Sequence, residues 1–299
     1  MNNPAETPDV TPLQKLWAAV MEILPHHLLS SLMYRVARVE VPFIKNTIIS
    51  QVVKHFDVDM SEAVIKDPLA YRSFNNFFTR KLETDARPIA AGENDIASPV
   101  DGEVSQSGAI DEGTLIQAKG RTYSLEALLG GDARMTSAFE NGHFSTIYLS
   151  PRDYHRIHMP VDGHLTRMTH VPGRLFSVSQ STTSAVHNLF ARNERVICQF
   201  ETDNGPMIMI LVGAIFVGSM ETVWSGLVTP AGQRVSSWDY GQQAAEQVFL
   251  RKGEEMGRFN MGSTVILLFP EGRAAWDPDH VAGQHVRMGQ RIGGKLLSA

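Results

Sequence analysis

Residues 262–269, with the sequence GSTVILLF, place a small Gly-Ser junction at the entrance to an apolar run. Such a run, bounded by turn residues, predicts a buried β-strand, and a tight turn into that strand is one interpretation of the junction. A second interpretation is self-cleavage, because glycine tolerates strained conformations that other residues resist. The Ser263 hydroxyl would attack the carbonyl of Gly262 and turn the amide into an ester. Elimination of the ester and hydrolysis would leave a pyruvoyl group.

Several other stretches have the same β texture. Gly, Asn-Gly and Pro-Ala-Gly turns separate them, which predicts antiparallel strands. The predicted strands cover residues 145–149, 196–200, 207–212, 214–217, 221–224 and 264–269. The tetrapeptide PVDG occurs at 99–102 and again at 160–163. Each copy predicts a hairpin with Asp-Gly at its tip, and the echo hints at a duplicated β unit.

The N-terminal part has a helical texture instead. Apolar residues at helical spacing predict amphipathic helices over 11–24, 28–36 and 44–56, followed by a linking helix from about residue 61 with Phe74, Phe77, Phe78 and Leu82 on one side. The predicted fold class is α+β, with N-terminal amphipathic helices followed by a β-rich catalytic domain, barrel- or sandwich-like, of antiparallel hairpins. We expect a domain boundary between a helical membrane-associating region, residues 1–60, and the β-rich catalytic domain, residues 61–299. The helices either pack on the catalytic core or anchor the protein on a membrane surface.

Composition excludes several classes of protein. The 299 residues carry 27 Lys and Arg against 32 Asp and Glu, a net charge of −5 that argues against a nucleic-acid partner. The single cysteine, Cys198, excludes an internal disulfide and a cysteine-based zinc site, and we interpret it as a buried apolar residue. The polar N-terminus predicts no secretion signal, and the longest apolar run, 207–218, is shorter than the about 20 residues that span a bilayer. We therefore expect a protein that is cytosolic or lies on a membrane from the cytosolic side.

Histidines concentrate in one part of the chain. Five of the eleven lie between residues 143 and 170, and two of them are in the segment SPRDYHRIHMP at 150–160. Ser150 at the N-cap, Pro151 at the first helical position and Pro160 after the last turn predict a short helix there. In a helix, His155 and His158 would share a face, an arrangement suited to proton transfer near neutral pH.

Other assignments of these residues stay open. A metal site of His155, His158 and His164 is disfavoured because helical zinc pairs usually have i, i+4 spacing, so we predict no metal. Asp101 is either a turn former or the residue that orients an imidazole for Ser263, and Asp162 competes for that role. A serine hydrolase would more typically show Gly-x-Ser-x-Gly at its nucleophile.

Six colinear motifs resemble those of bacterial phosphatidylserine decarboxylases and cover most of the chain. They are FFTR at 77–80 with Arg87-Pro88, SPVDG at 98–102, YHRIHMP at 154–160, LFARNER at 189–195, VGA at 212–214 with VGSMETV at 217–223, and KGEEMGRF at 252–259. Met261 stands where leucine is common in the family, a change that conserves volume.

The resemblance implies an activity and a site. The proenzyme would cleave between Gly262 and Ser263 into a large chain, 1–262, and a 37-residue small chain, 263–299, which begins with covalent pyruvate. The family's triad corresponds to Asp101, His158 and Ser263, with His158 as the base for self-cleavage. His155 would assist decarboxylation or protonate the product. The amine of phosphatidylserine would form a Schiff base with the pyruvoyl group, and CO₂ and phosphatidylethanolamine would be released.

The resemblance also implies partners and a location. The substrate is a membrane lipid, which favours a peripheral protein on the cytoplasmic side of the cell membrane with residues 1–60 on the bilayer. The two chains of one precursor would stay together, and a homodimer is possible. Arg152 and Arg156 could hold the phosphodiester or the carboxylate, or be surface residues. A hydrolase or a non-catalytic binding module, the rival hypotheses, would both leave the chain intact.

Overall fold

A computed structural model of the chain describes residues 19–118, 120–215, 219–241 and 247–296. Residues 19–23 are helical, and two helices follow, α1 (His26–Ala37) and α2 (Pro42–Phe56). The predicted helices over 28–36 and 44–56 are confirmed, whereas residues 11–18 of the first predicted helix lie outside the described residues. Pro42 begins α2 at a position where the missing N–H costs no hydrogen bond.

The predicted linking helix is wrong over most of its length. A single 3₁₀ turn, Pro68–Ala70, and a short helix, α3 (Phe74–Phe78), replace it. The Asp67 side chain accepts a hydrogen bond from Leu69 N at 2.9 Å, and this local turn together with Pro68 interrupts a longer helix. The three phenylalanines of α3 are nevertheless buried together, against α1 and α2.

The rest of the described chain is mostly antiparallel sheet. Its elements are β1 (Asp95–Ala97), β2 (Gly102–Ala109), β3 (Thr114–Ala118), β4 (Arg121–Ser124), α4 (Leu125–Leu128), α5 (Ala133–Phe139), β5 (His143–Leu149), β6 (Arg156–His158), β7 (Gly163–Val171), α6 (Gln180–Thr183), α7 (Leu189–Arg192), β8 (Arg195–Thr202), β9 (Gly205–Val212), β10 (Met220–Thr222), β11 (Gly226–Leu227), β12 (Ser236–Asp239), β13 (Phe249–Leu250), β14 (Glu255–Phe259), β15 (Ser263–Phe269), β16 (Ala274–Trp276), β17 (His285–Val286) and β18 (Arg291–Lys295).

A nine-stranded sheet forms the centre of this body. Its order is β12-β7-β8-β9-β15-β5-β2-β17, with β13 added beside β7. Two smaller sheets have the orders β11-β10-β14-β6 and β1-β18-β16, and β3 pairs with β4. Across the described residues the large sheet is open and does not close on itself. The α+β class is therefore confirmed, with a layered arrangement rather than a closed barrel.

The strand β15 explains why several runs are wholly apolar. Val265 and Leu267 enter a core shared with the two smaller sheets. Ile266 and Leu268 enter a second core, shared with the short helices and the β3–β4 hairpin. Because both faces of the central strands are buried, their side chains do not alternate between apolar and polar.

Neither PVDG segment is a hairpin. The segment 99–102 leads from β1 to β2, and 160–163 leads from β6 to β7, and each pair of strands lies in different sheets. The two segments instead lie side by side, because Ala97 N donates to Pro160 O at 3.0 Å and His158 N donates to Pro99 O at 2.8 Å. The predicted strand 214–217 is also absent at 214–215, and residues 216–218 lie outside the described part.

The helices at residues 19–56, here called the N-terminal arm, contact the body directly. Arg192 pairs with Glu22 at 2.8 Å, and His27 Nε2 donates to Gly173 O at 2.9 Å. Met21 joins the helix-side core of the large sheet. Among the described helices, none is both long and apolar enough to span a membrane.

Candidate active site

The Gly262–Ser263 junction lies at the start of β15, where Ser263 is opposite Leu149 of β5. Ser263 is fully buried, and its Oγ has no hydrogen-bond partner. The φ angle of Gly262 shows no strain, because it lies outside the left-handed region. A Cβ atom at Gly262 would lie 3.5 Å from Leu149 O and 3.8 Å from His155 Nε2, which are ordinary contact distances.

The predicted helix over 150–160 is wrong. Asp153 closes a turn, in which Ser150 N donates to Asp153 Oδ2 at 2.6 Å and Asp153 N donates to Ser150 O at 2.9 Å. Phe259 N then donates to His155 O at 3.1 Å, and β6 continues antiparallel to β14. The distant strand therefore takes the backbone hydrogen bonds that a helix would have made, and the two histidines do not share a helix face.

His155 points its free nitrogen toward the junction. Its ring is fully buried, and Nδ1 donates to Asp153 O at 2.8 Å. Since a carbonyl oxygen only accepts, Nδ1 carries the proton and Nε2 keeps its lone pair, for which the structure gives no partner. The Phe78 ring lies 4.0 Å from the imidazole, centre to centre. Burial, with a smaller contribution from the Arg80 charge, lowers the pKa of His155 to about 3, so the ring is neutral.

His158 makes different contacts. Its Nδ1 donates to Gly253 O at 2.8 Å, which leaves Nε2 to accept from the Tyr154 hydroxyl at 3.1 Å. Burial lowers the pKa of His158 and raises the pKa of the Tyr154 hydroxyl, since it disfavours the charged form of each. Both ring nitrogens are thus engaged by groups other than Asp101 and Ser263.

Asp101 is held by an arginine. Arg87 binds both carboxylate oxygens, with Nε donating to Oδ1 at 2.8 Å, and Met288 N donates to Oδ1 at 2.8 Å. Arg87 also pairs with Glu62 at 2.7 Å. The negative charge of Asp101 nevertheless acts on the nearby His158 and opposes the lowering of its pKa.

The predicted site residues therefore form three neighbouring groups. Ser263, Gly262 and His155 meet at the junction, whereas Asp101 lies with Arg87 and His158 with Tyr154. Arg87 lines both a cavity of about 230 Å³ beside His158 and one of about 210 Å³ beside Asp101. Sequence reasoning did not assign roles to Phe78, Arg80 or Tyr154. All three residues lie in the FFTR and YHRIHMP motifs, but the motifs do not show which side chains contact each other.

The two arginines considered as substrate ligands differ. Arg156 Nε and Nη2 donate to Thr79 O at 3.0 and 2.9 Å, and Nη1 donates to both Glu255 oxygens. These contacts use its donors within the protein. Arg152 has a half-exposed side chain, with Nε 3.9 Å from Asp153 Oδ1, and lines the cavity beside Asp101.

The local geometry of the described residues supports neither of two alternatives considered above, a metal site at the histidines and Asp162 in the role of Asp101. In the described part of the chain, no group of three or more His, Cys, Asp or Glu side chains is arranged to hold a metal ion. The His164 ring lies against Phe249, with 4.5 Å between ring centres. Asp162 accepts a hydrogen bond from Lys252 N at 2.7 Å.

A cavity of about 570 Å³ opens beside the junction. The N-terminal arm contributes Met21, Leu24, Leu29, Val52 and Phe56 to its wall. The body contributes Phe78, Tyr148, Leu149, Pro151, Ser177, Val178, Ala214, Ile215, Met261 and Gly262. The lining is largely apolar, so the cavity suits a hydrocarbon chain better than a polar molecule.

Comparison with known proteins identifies the family. A family model described as phosphatidylserine decarboxylase matches residues 74–294, and a second, described as PSD, matches residues 16–57. The chain belongs to the phosphatidylserine decarboxylase family. The phosphatidylserine decarboxylase proenzyme of Bordetella avium is 53% identical over 279 residues, which are 93% of this chain and 94% of the relative. Proenzymes of the same name from Azotobacter vinelandii and Alcanivorax borkumensis are 50% and 52% identical, over 93% of this chain and 98% and 96% of their own lengths.

These matches confirm the resemblance drawn from the motifs. The first phosphatidylserine decarboxylase match spans the sheets and α3, including the Gly262–Ser263 junction and both histidines. The second spans the whole of the N-terminal arm. Both parts of the chain are therefore typical of this family.

Proposed function

We propose that this chain is a proenzyme that cleaves itself between Gly262 and Ser263 and then decarboxylates phosphatidylserine to phosphatidylethanolamine. The observation that carries the proposal is a pair of buried polar atoms at the junction, Ser263 Oγ and His155 Nε2, neither of which has a hydrogen-bond partner among the described residues. Leaving buried polar groups unpaired lowers the stability of a fold. A reaction at the junction would use both atoms, which explains why they are left unpaired.

The first step is an exchange of bonds at one carbonyl. Ser263 Oγ attacks the carbonyl carbon of Gly262, a C–O bond forms, the C–N bond breaks, and the hydroxyl proton passes to the released amine. A base next removes the Ser263 α-proton, and the ester oxygens leave as the carboxylate of Gly262. Water then replaces the nitrogen of the resulting dehydroalanine, which releases ammonia and leaves the pyruvoyl group at the start of chain 263–299.

For self-cleavage we assign the relay Asp101, His158 and Ser263, with His158 as the base. Its support is the family motif and the charge of Asp101, which favours a protonated His158. In the described state Tyr154 occupies His158 Nε2, so the imidazole must leave that hydroxyl before it takes a proton at the junction. Within the described residues Asp101 Oδ2 takes a single hydrogen bond, from Arg87, so it keeps a lone pair for a partner.

Ser263 is the residue that would carry the pyruvate, and its buried, apolar surroundings fit a small ketone. The pyruvoyl ketone would supply a site for the substrate amine and an acceptor for the electrons left when CO₂ departs. His155 Nε2 can take the proton that the substrate ammonium must lose. It can return a proton to the carbon that loses CO₂. The Asp153 carbonyl keeps the lone pair on Nε2, the nitrogen nearer the junction.

A lipid substrate agrees with the apolar cavity. Its wall reaches from Gly262 to arm residues of α1 and α2, so an acyl chain in it would place the head group near the junction. Large apolar side chains also lie on the outer surface of the arm: Val20, Ile23, Leu28, Leu32, Val41, Phe43 and Ile44. Such a surface is typical of attachment to one face of a bilayer. We therefore place the enzyme peripherally on the cytoplasmic face, with residues 1–60 in contact with lipid.

The test is the intact mass of the purified protein under denaturing conditions, beside Ser263→Ala and the exposed control Ser236→Ala. We expect two chains that meet at 262/263 in the wild type and the control, with the small chain blocked at its N-terminus. Ser263→Ala should stay whole. A wild-type protein that stays whole and releases no CO₂ from phosphatidylserine would overturn the proposal.

The same assay separates the two histidines. His158→Ala should stay uncleaved, because the base for self-cleavage is gone. His155→Ala should cleave but release CO₂ slowly, because proton transfer to the substrate is impaired. The reverse pattern would exchange the two assignments and leave the proposed activity in place.

A further inference from the structure

Arg80 is a buried cation with incomplete pairing. Its side chain is almost fully covered, at 4% exposure, and Nη2 donates to Arg152 O at 2.8 Å. Its Nε and Nη1 have no hydrogen-bond partner, and within the described residues it forms no ion pair with a carboxylate. Its nearest aromatic contact is with Phe77, whose ring centre lies 5.6 Å from Cζ. Burying a cation in this way opposes folding, so stability does not explain its presence.

A second buried arginine shows what a structural role looks like. Arg195 donates from all three guanidinium nitrogens to backbone carbonyl oxygens, those of Ala127, Leu128, Ala191 and Asn193. These bonds hold α4 and α7 together. Arg80, by contrast, has one side-chain hydrogen bond to the described part of the chain, and its acceptor lies in the turn that leads to His155.

The segment 78–80 is linked in three places to residues 152–156, which run from the turn into the first residue of β6. Arg80 donates to Arg152 O, and Arg156 donates twice to Thr79 O. Between these two links the Phe78 ring lies against the His155 imidazole. The turn is thus fixed on both sides of His155 by consecutive residues of one segment.

We infer that Arg80 is a positioning residue for His155, holding its turn so that Nε2 faces the Gly262–Ser263 junction. The inference rests on the proposed function, in which that nitrogen moves protons at the substrate. Asp153 O fixes the Nδ1–H tautomer only while the turn keeps its shape. The bond from Arg80 to Arg152 O restrains the turn one residue before Asp153.

The Arg80 charge acts in the same direction. Burial is the main cause of the low pKa of His155, and the nearby Arg80 charge lowers it further, so Nε2 stays unprotonated. The other charged groups near this turn have partners of their own: Asp153 accepts from Ser150 N and has Arg152 Nε 3.9 Å away, and Arg156 pairs with Glu255. Asp101, whose charge also acts on Arg80, is held by Arg87.

The first test compares steady-state decarboxylation by the full chain in phosphatidylserine vesicles. Arg80→Met should still cleave, and its kcat should fall about 10- to 100-fold with KM within about twofold, because His155 is displaced and lipid binding is not. Arg80→Lys should recover part of the loss, since it keeps the charge. The control Arg72→Met, on an exposed side chain paired with Glu40, should match the wild type.

The second test does not require activity. In the uncleaved Ser263→Ala chain, the ¹⁵N signals of His155, assigned by their loss in His155→Gln, should show one tautomer with well-separated Nδ1 and Nε2 shifts. Arg80→Met should bring the two shifts together as the tautomers average. If the methionine variant does not fold, Arg80→Lys takes its place, with smaller changes of the same sign.

Two outcomes would overturn the inference. One is a folded Arg80 variant with wild-type kcat and unchanged His155 signals, and the other is a loss confined to KM. A wild-type chain that neither cleaves nor decarboxylates would refute the proposed function instead. In that case averaged His155 signals would still support the positioning role of Arg80.

Discussion

Replacing Gly262 by alanine should separate the stability of the fold from the chemistry at the junction. The new methyl group would meet Leu149 O at 3.5 Å and His155 Nε2 at 3.8 Å, so it fits without displacing either. The φ angle of Gly262 is one that alanine adopts. Gly→Ala at such a position stabilises a protein by about 0.4–1 kcal/mol, because it restricts the unfolded chain. For a chain of this size the melting temperature should rise by about 0.5–2 °C.

The same methyl group should slow self-cleavage. It adds bulk to the carbon next to the carbonyl that Ser263 attacks. Small displacements of reacting groups reduce rates steeply, so we expect cleavage to slow about tenfold or more. A more stable and less reactive protein is the signature of a junction whose glycine serves the reaction rather than the fold.

Two measurements check this prediction. Thermal unfolding compares Ser263→Ala with the double variant Gly262→Ala/Ser263→Ala, so both proteins are uncleaved. Intact mass over time compares cleavage in Gly262→Ala and in the wild type. A melting temperature several degrees lower would show that the backbone requires glycine. Cleavage at the wild-type rate would show that a methyl group beside the attacked carbonyl does not hinder the reaction.

Three further changes test the packing, the buried histidine and the arm. The pKa of His155 is about 3 in the fold and has its ordinary value near 6.5 in the unfolded chain. Because protonation therefore favours unfolding, the free energy of unfolding should fall as the pH drops from about 6.5 to about 3. Urea midpoints should show this slope, and the slope should be smaller in His155→Gln. Phe77→Ala empties a fully buried site and should lower the free energy of unfolding by about 3–5 kcal/mol in denaturant titrations, whereas Phe43→Ala, on an 83% exposed side chain, should change it by less than about 0.5 kcal/mol. Phe43→Glu should weaken flotation with vesicles about tenfold or more, and Val281→Glu, exposed on another part of the chain, should not; equal binding by both would argue against the arm as the membrane surface.

The central strands were predictable because their surroundings are simple. The strands β9 and β15 are buried on both faces over most of their length, so their sequences are apolar almost throughout, and the predicted ranges differ from the observed ones by a few residues at most. The candidate site residues came from another source. Motif resemblance named His155, His158 and Ser263 without any knowledge of their contacts.

Elements that depend on distant partners were not predictable from local signals. Residues 150–160 carry helix-capping residues, yet β14, about 100 residues later, supplies the backbone partners of β6. Asp101 shows the same limit, because nothing in PVDG indicates that Arg87 binds its carboxylate. Local sequence specifies a turn there, and the tertiary structure decides which charge faces it.

The position of β15 has a consequence for the lifetime of each molecule. Seven residues, Ser263–Phe269, pair with β5 on one side, and five of them pair with β9 on the other. A cut before Ser263 would leave these pairings intact, so the mature enzyme would hold together without a covalent link. Unfolding would then release a short peptide into solution, and recovery would require two separate molecules to meet and insert a strand into the middle of a sheet. Each copy would therefore fold once as a single chain, and heat damage after maturation would be permanent.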